Sequence, residues 1–373
     1  MDRLAPLGWS PHHAASFETH RRADPSLRPA RVSQEHRESL RILLSPTEER
    51  LARPGGRLRH EAASASDLPA VGDWVAVEVP PGDSPAVVRA VLPRRTVLLR
   101  KEPDRSVAAQ VLAANVDAVF VTVPLDRGLR PGLVDRALAL AWDGGADPVV
   151  VLTKADLVPD PAAEVRRAVT ACPAAPVVAV SAATGAGVQF LAPWLSPGRT
   201  VALLGPSGAG KSTLVNRLLG DAAMQTGEVR DWDGRGRHTT VHRHLLPIPG
   251  GAVLVDTPGL REVALFGAEE GIETTFADIV VLSAQCRFSD CRHDTEPSCA
   301  VRSAAETGAL DPARLASWRK LQREEAHLQR KLGIEAVWLA KHRRRSWGRM
   351  VRAALDRKQG LRDGRIDPTG PGS

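Results

Sequence analysis

The stretch that decides the fold is Thr200-Val-Ala-Leu-Leu-Gly205-Pro-Ser-Gly-Ala-Gly210-Lys211-Ser212-Thr213. An apolar run rich in β-forming residues ends in the pattern Gly-x-x-x-x-Gly-Lys-Ser, and leucine and valine then recur at helical spacing. This succession predicts a β-strand, a phosphate-binding loop and an α-helix.

The residue types in this loop suit the binding of a nucleoside triphosphate. Glycines allow backbone N–H groups to surround the phosphates, Lys211 can reach the β- and γ-phosphate oxygens, and Ser212 can bind Mg²⁺. The start of the following helix adds a partial positive charge. We therefore predict a nucleotide site formed by Gly205, Pro206, Ser207, Gly208, Ala209, Gly210, Lys211, Ser212 and Thr213.

The composition is that of a globular protein with room for two or three domains. The chain has 373 residues and a formal net charge of +7, and no run approaches the ~18 apolar residues of a membrane span. The amino terminus lacks the basic and apolar regions of a signal peptide, so we expect a cytoplasmic protein with no membrane partner. From Pro312 onward, 16 Lys and Arg face 6 Asp and Glu. This excess indicates either a polyanionic partner or a solvated helix surface.

The amino-terminal part shows two kinds of pattern. Residues 1–29 contain proline, histidine and arginine with weak periodicity, and we expect them to form a mobile arm. Residues 30–104 contain short alternating segments separated by glycine and proline turns. This is typical of an oligonucleotide-binding (OB-type) β-barrel, or of a β-module used only for packing. The predicted strands are Ser39–Leu44, Arg57–His60, Trp74–Val79, Ala86–Leu92 and Thr96–Arg100.

Strands and helices alternate over residues 105–268, which predicts a parallel sheet with helices on both faces. Ligands bind such sheets at the carboxyl ends of the strands. Two of the strands end in motifs suited to guanine. In the first motif, an aspartate can accept hydrogen bonds from both donors of the base, and the stem of a lysine can lie along the ring. In the second, a backbone N–H can donate to the carbonyl oxygen of the base. Adenine lacks that paired donor edge. The motif residues are Thr153, Lys154, Ala155 and Asp156 in the first, and Ser181 and Ala182 in the second.

Two further motifs predict the magnesium and γ-phosphate contacts. Asp-Thr-Pro-Gly follows a third strand, and a glycine-rich segment before it can act as a switch. The predicted magnesium ligands are Ser212, Asp256 and one of the two threonines Thr239 and Thr240. Leu260 stands where many GTPases have a water-positioning glutamine, so slow intrinsic hydrolysis is expected. The predicted catalytic residues are Lys211, Asp256, Gly259 and, as a candidate for positioning water, His238.

The order of these motifs is informative. In an ordinary GTPase the phosphate-binding loop precedes the base-reading motifs, whereas here Thr153–Asp156 and Ser181 come before Gly205. Joining the old ends and cutting elsewhere leaves the loops at the same sheet edge, so the order predicts a circularly permuted GTPase domain. The chain leaving the second switch then runs directly into the carboxyl-terminal module.

That module, residues 269–345, begins with a cluster of potential metal ligands. Three thiols and one imidazole form a closed tetrahedral set, which favours one structural Zn²⁺ per chain over reduced cysteines in a helical core. The ligands are Cys286, Cys291, His293 and Cys299. Helices are expected from about Pro312 onward, and residues 346–373 are a basic tail.

Taken together, these motifs resemble the RsgA (YjeQ) family of small ribosomal subunit biogenesis GTPases. The resemblance covers roughly residues 30–345. It includes Gly72-Asp73-Trp74-Val75, Ala114-Asn115-Val116-Asp117, the guanine and phosphate motifs, Gly236–Thr240, Asp256–Gly259 and the zinc spacing C-x4-C-x-H-x5-C. One departure is Val241, where family members commonly have a third threonine.

The resemblance implies an OB-type barrel, a permuted α/β P-loop GTPase domain and a helical zinc-binding domain. It also implies hydrolysis of GTP to GDP, with Mg²⁺, that is stimulated by the small (30S) ribosomal subunit, and a late maturation or checkpoint role on that subunit. The expected partners are the 30S subunit and its 16S rRNA, and we expect the protein to be a monomer. Two alternatives stay open: a permuted GTPase acting on another ribosomal particle or RNA, and a non-enzymatic RNA-binding scaffold stabilised by its nucleotide.

Overall fold

Five strands of the amino-terminal part close into a barrel. The computed structural model describes residues 2–36, 39–101, 109–220, 244–256 and 265–331. The strands pair in the order β1-β2-β3-β5-β4, and β4 returns to pair antiparallel with β1. Alternating apolar residues such as Val32, Ile42 and Val75 fill the interior. The strands are β1 (Arg28–Glu35), β2 (Leu40–Ser45), β3 (Glu48–Pro54), β4 (Trp74–Glu78) and β5 (Ala86–Val91).

Two of the predicted barrel strands are wrong. Arg57–His60 lies in a short helix, α2 (Gly56–Glu61), and Thr96–Arg100 mostly forms β6 (Val97–Lys101), which pairs with β7 (Ala109–Ala114) in a separate sheet. Within Arg57–His60, only Leu58 packs against the barrel core. A single apolar residue between polar ones fits a helical turn as well as a strand. The strands that the sequence pattern missed are β1 and β3.

The prediction of a mobile arm over residues 1–29 is also wrong. Residues Asp2–Leu7 form a 3-10 helix and α1 spans Pro11–Ala23. Leu4, Leu7 and Phe17 are buried in the main core. Leu4 and Leu7 are one turn apart, but the buried residues of α1 are only His13 and Phe17, so no long apolar stripe marks the segment as helical.

A mostly parallel sheet forms the centre of the molecule, in the order β10-β9-β8-β11-β13-β12. Within β8, Val119 and Val121 face one apolar core and Phe120 faces the other, so both sides of the sheet are covered. The elements are β8 (Ala118–Pro124), α3 (Pro131–Asp143), β9 (Asp147–Thr153), α4 (Pro161–Ala171), β10 (Val177–Ala179), β11 (Thr200–Leu204), α5 (Lys211–Leu219), β12 (His244–Pro247) and β13 (Val253–Asp256).

The barrel and the central sheet are continuous. Strand β12 runs antiparallel to β13 and also pairs with barrel strand β1, where Gln34 lies opposite His244. The two units therefore belong to one 11-stranded sheet.

Ion pairs reinforce this junction. Arg94 binds the fully buried carboxylate of Asp73 through two hydrogen bonds of 2.7 Å. The neighbouring Arg95 pairs with one oxygen of Asp117, and the other oxygen of Asp117 accepts the backbone N–H of Thr200 at 2.8 Å. Thr200 begins β11. Asp117 therefore connects Arg95, which follows the last barrel strand, to the strand that leads into the phosphate-binding loop.

A buried arginine completes the junction. Arg31 on β1 is 1% exposed and donates to the backbone carbonyls of Leu7, Gly72 (3.3 Å) and Asn115 (3.2 Å). Gly72 has a φ of +91°, and a Cβ there would lie 2.1 Å from the carbonyl oxygen of Ala114. Only glycine allows the two backbones to approach this closely.

Helices complete the carboxyl-terminal region. They are α6 (Glu269–Thr275), α7 (Ala277–Ser283), α8 (Ala300–Glu306) and α9, which is described over residues 312–331. No helix in the described ranges is both long and apolar enough to cross a bilayer.

Arg314 on α9 fastens this region to the nucleotide sheet. Its guanidinium makes two 2.8 Å hydrogen bonds to Asp278 on α7 and lies 3.5 Å from Asp135 on α3, whose side chain is fully buried. Ser317 donates to Asp135 at 2.6 Å. Burial raises the pKa of Asp135 to about 6, and the Ser317 hydrogen bond and Arg314 oppose that rise.

We expect Arg314→Ala to lower the free energy of unfolding by about 3–5 kcal/mol, because Asp135 would keep its buried position without a cation. Thermal denaturation followed by circular dichroism measures the effect. Arg302→Ala removes the exposed pair with Glu306 (3.2 Å) and should change stability by less than about 0.5 kcal/mol. Adding Asp135→Asn to Arg314→Ala should recover part of the loss; equal melting temperatures for Arg314→Ala and Arg302→Ala would contradict the role of this ion pair.

A second prediction concerns pH. His13 on α1 is 1% exposed and accepts the backbone N–H of Ser10 at 3.3 Å. Burial and the charge of Arg95 lower the pKa of His13 to about 4. The unfolded chain therefore binds a proton below about pH 6.5 that the folded chain does not, and the stability from the neutral ring is lost as pH falls from 6.5 towards 4.

We expect the loss at pH 5 to be about 2 kcal/mol relative to pH 7.5. His13→Phe keeps an aromatic ring but cannot titrate, so its melting temperature should fall less over that interval than that of the wild type. Parallel falls for the two proteins would disprove this explanation.

Candidate functional site

The phosphate-binding loop joins β11 to α5 as the sequence predicts. A Cβ at Gly205 would lie 2.0 Å from the side-chain oxygen of Thr122, which itself donates to the carbonyl of Leu204 at 3.0 Å. The first glycine of the motif is therefore required by its contact with the neighbouring strand β8. Ser212 and Thr213 lie in the first turn of α5, directly after Lys211, and are exposed.

Lys211 and Asp256 face the same space at the end of the sheet. Lys211 is 8% exposed, and its Nζ donates to the carbonyls of Gly205 (2.9 Å) and Pro206 (3.0 Å). Asp256 ends β13, directly beside Leu203 of β11. Burial raises the pKa of Asp256 to about 6, while Lys211 opposes that shift.

The carboxylate of Asp256 is incompletely satisfied. Its Oδ1 is buried and has no hydrogen-bond partner among the residues that the structure describes. Burial also lowers the pKa of Lys211. These two groups suit a metal-bound phosphate ligand. The metal ion would meet the unpartnered oxygen of Asp256, and the phosphate would meet the ammonium of Lys211.

The guanine motif is tied to the phosphate-binding loop. Thr153 Oγ1 donates to the carbonyl of Ala209 at 2.7 Å. Lys154 follows with left-handed backbone (φ 59°), and its Nζ lies 2.7 Å from Asp126 Oδ2. Asp156 is exposed in the short turn that follows.

The second base-reading loop is held by α5. Arg217 donates to the carbonyls of Ala182 (2.9 Å) and Ala183 (2.8 Å). The side chain of Ser181 is buried and accepts the N–H of Thr184 at 3.1 Å. The structure therefore places both guanine motifs, the phosphate-binding loop and Asp256 at the carboxyl edge of one sheet, in permuted chain order.

Some predicted site residues lie outside the described ranges. These are His238, Thr239, Thr240 and Gly259, together with Leu260. The sequence reasoning also missed two residues of the edge, Asp126 and Arg127, which follow β8. The rule that ligands bind at the carboxyl ends of strands would have found them, since β8 lies between β9 and β11.

A separate cluster in the carboxyl-terminal region can hold a metal ion. Its four ligand atoms all lie within 4.8 Å of one another. His293 Nδ1 is 3.5 Å from Cys286 Sγ and 3.4 Å from Cys299 Sγ, and the two sulfurs are 3.9 Å apart. Tetrahedral zinc with these donors separates them by about 3.5–3.8 Å. The donor set, completed by Cys291, therefore fits zinc.

The ligand loop is shaped by a carboxylate. Glu296 accepts the backbone N–H groups of Arg292 (3.0 Å), Asp294 (2.8 Å) and Thr295 (3.1 Å). Hydrogen bonds from the backbone N–H of Glu296 itself and from these three N–H groups lower the pKa of Glu296 to about 2. The carboxylate stays ionised at neutral pH and fixes the backbone on both sides of His293.

Known proteins match both the sequence and the fold. The RsgA GTPase family model matches residues 91–266. The chain is 48% identical to the small ribosomal subunit biogenesis GTPase RsgA of Opitutus terrae, over 95% of this chain and 98% of that protein.

Two solved structures are similar in fold. YjeQ from Thermotoga maritima has a TM-score of 0.59 and 26% identity, over 80% of this chain and 99% of its own. YloQ, described as a circularly permuted GTPase, has a TM-score of 0.55 and 21% identity over 81% and 96%, and at that identity it supports the fold alone. On the near full-length identity to a curated relative, together with the permuted order of the strands, the chain belongs to the RsgA GTPase family.

Proposed function

We propose that this protein hydrolyses GTP during assembly of the small (30S) ribosomal subunit. The observation that carries the proposal is the meeting of two guanine motifs, the phosphate-binding loop and the unsatisfied Asp256 at one sheet edge. The name of the relative from Opitutus terrae supplies the subunit.

In this proposal the described residues share the work of binding and charge stabilisation. Asp156 accepts from the guanine edge and Lys154 lies along the base, while Ser181 and Ala182 supply backbone donors. Lys211 moves from the carbonyls it contacts in this structure to the phosphate oxygens. The loop amides and the amino terminus of α5 stabilise the charge that develops on the γ-phosphate.

Magnesium would be held by Ser212 and Asp256, with Thr239 or Thr240 completing the set. When bound, the ion would neutralise part of the negative charge on the phosphates. Gly259 would donate its N–H to the γ-phosphate. Because Leu260 cannot position water, we assign that role to His238 in the subunit-bound state.

The carboxyl-terminal cluster is proposed as a structural zinc site. Three thiolates and one imidazole fill all four tetrahedral positions and leave none for a substrate water. We further propose that the protein acts as a monomer in the cytoplasm and contacts 16S rRNA through its barrel and its basic carboxyl-terminal segment. In domain terms, we propose a barrel module close to the predicted 30–104, whose barrel strands run from Arg28 to Val91, followed by a GTPase unit over 105–268, a zinc-binding unit over 269–345 and a tail over 346–373.

We expect the wild-type protein to co-sediment with 30S particles when a non-hydrolysable GTP analogue is bound, and to release from them with GDP. Phosphate release should be slow alone and stimulated by 30S particles. Lys211→Ala removes a main contact to the phosphates, so stimulated release should fall by at least about 100-fold. Sedimentation of this variant with 30S particles should persist when the GTP analogue is supplied at a saturating concentration, because the substitution leaves the RNA-contacting surfaces unchanged.

Each other outcome points to a different function. Sedimentation with 50S rather than 30S particles would favour another ribosomal target. Binding that ignores the nucleotide, with no stimulated phosphate release, would favour a scaffold. Preference for neither particle in any state would refute the ribosomal role.

We expect one zinc per chain by elemental analysis of the purified protein. Cys299→Ser should remove it and lower the melting temperature, since Cys299 is 5% exposed and is the N-cap residue of α8. Cys172→Ala changes a buried cysteine outside the cluster and should keep the metal. Wild-type protein without zinc, or full zinc content in Cys299→Ser, would contradict the assignment.

A further inference from the structure

The turn after β8 touches both halves of the nucleotide site. Residues Leu125–Arg127 form one turn of 3-10 helix. Asp126 Oδ2 lies 2.7 Å from Nζ of Lys154 in the guanine motif, and Arg127 donates to the carbonyl of Ser207 in the phosphate-binding loop at 3.2 Å.

The contact to Lys154 constrains a side chain that is otherwise free to move. A lysine has four rotatable bonds, and ordering it on ligand binding costs affinity. Here the left-handed backbone of Lys154 fixes where the side chain starts, and Asp126 fixes where the ammonium ends. The stem between them is ordered before any base arrives.

An ordinary surface ion pair would explain the short distance between Lys154 and Asp126, but not the contact of the same turn with the phosphate-binding loop. Exposed pairs contribute little to stability. The side chains of Lys154 and Asp126 are 27% and 30% exposed, so the pair lies at the surface and its burial does not distinguish it from other pairs. The hydrogen bond from Lys154 also lowers the pKa of Asp126, so the carboxylate is ionised at neutral pH. The same turn is anchored to the phosphate-binding loop, which is unnecessary for a surface ion pair.

We infer that Asp126 is a positioning residue for guanine-nucleotide binding, acting through Lys154. Arg127 fixes the turn to the phosphate-binding loop, so that the base-reading lysine and the phosphate-binding backbone keep a constant separation. The inference rests on the proposed role of Lys154 in binding the base. It adds a third loop to the two base-reading loops that the sequence predicts.

The experiment measures the affinity of the full-length protein for fluorescently labelled GDP. Asp126→Asn keeps the shape but loses the charge, and its affinity should fall about fivefold to tenfold. Glu164→Gln is the matched control: it removes the exposed pair with Arg167 (2.8 Å) on α4 and should leave the affinity unchanged.

A double-mutant cycle separates positioning from general damage. If Asp126 acts through Lys154, the double variant Asp126→Asn/Lys154→Ala should bind no more weakly than Lys154→Ala alone. In subunit-stimulated hydrolysis, Asp126→Asn should raise KM for GTP and leave kcat near that of the wild type. Melting temperatures within a few degrees of the wild type would exclude unfolding as the cause.

Two results would overturn the inference: unchanged affinity in Asp126→Asn, or losses that multiply in the double variant. If the proposed selection of guanine nucleotides is itself wrong, the result is different: the wild-type protein would then bind ADP as tightly as GDP. The ADP measurement on the wild type therefore distinguishes the two failures.

Discussion

The structure depends on parallel pairing of β11 with β8 on one side and β13 on the other. This pairing brings the carboxyl ends of β8, β11 and β13 to one edge of the sheet. The turn with Asp126 follows β8, the phosphate-binding loop follows β11, and Asp256 ends β13. The pairing also explains the close contact of Gly205 with Thr122, because the loop must leave the sheet directly over its neighbour. A side chain at that glycine would displace the loop from the strand that supports it.

Circular permutation is tolerated because the edge does not depend on chain order. What holds the loops together is local: Thr153 bonds to the phosphate-binding loop, and Arg217 of α5 bonds to the second base-reading loop. These bonds join segments that lie far apart in the sequence. The site is therefore defined by a network of side chain to backbone contacts, and the positions of the chain ends matter little to it.

The sequence predicts the parts of the structure in which chemistry restricts the residue types. The phosphate-binding loop, the order of the motifs and the zinc ligands follow from spacing alone, and the structure brings the described members together. Packing is harder to predict. Leu4, Leu7 and Phe17 fill a core formed by distant segments, and one leucine among polar residues made α2 look like a strand. The strand-end rule would have placed Asp126 at the edge of the site, but its pairing with Lys154 also requires β8 and β9 to be neighbours, which the sequence does not show.

The pairing of Gln34 with His244 has a mechanical consequence. Strand β12 is the first described element after the predicted switch threonines, and it shares a ladder with the barrel. This pair, together with the hydrogen bonds of Arg31 to Asn115 and of Arg95 and Thr200 to Asp117, restrains the barrel against the nucleotide sheet. Among the described strands, β12 is thus the one that pairs on one side with the barrel and on the other with β13, whose last residue is Asp256, so the barrel lies two strands from the predicted magnesium ligand.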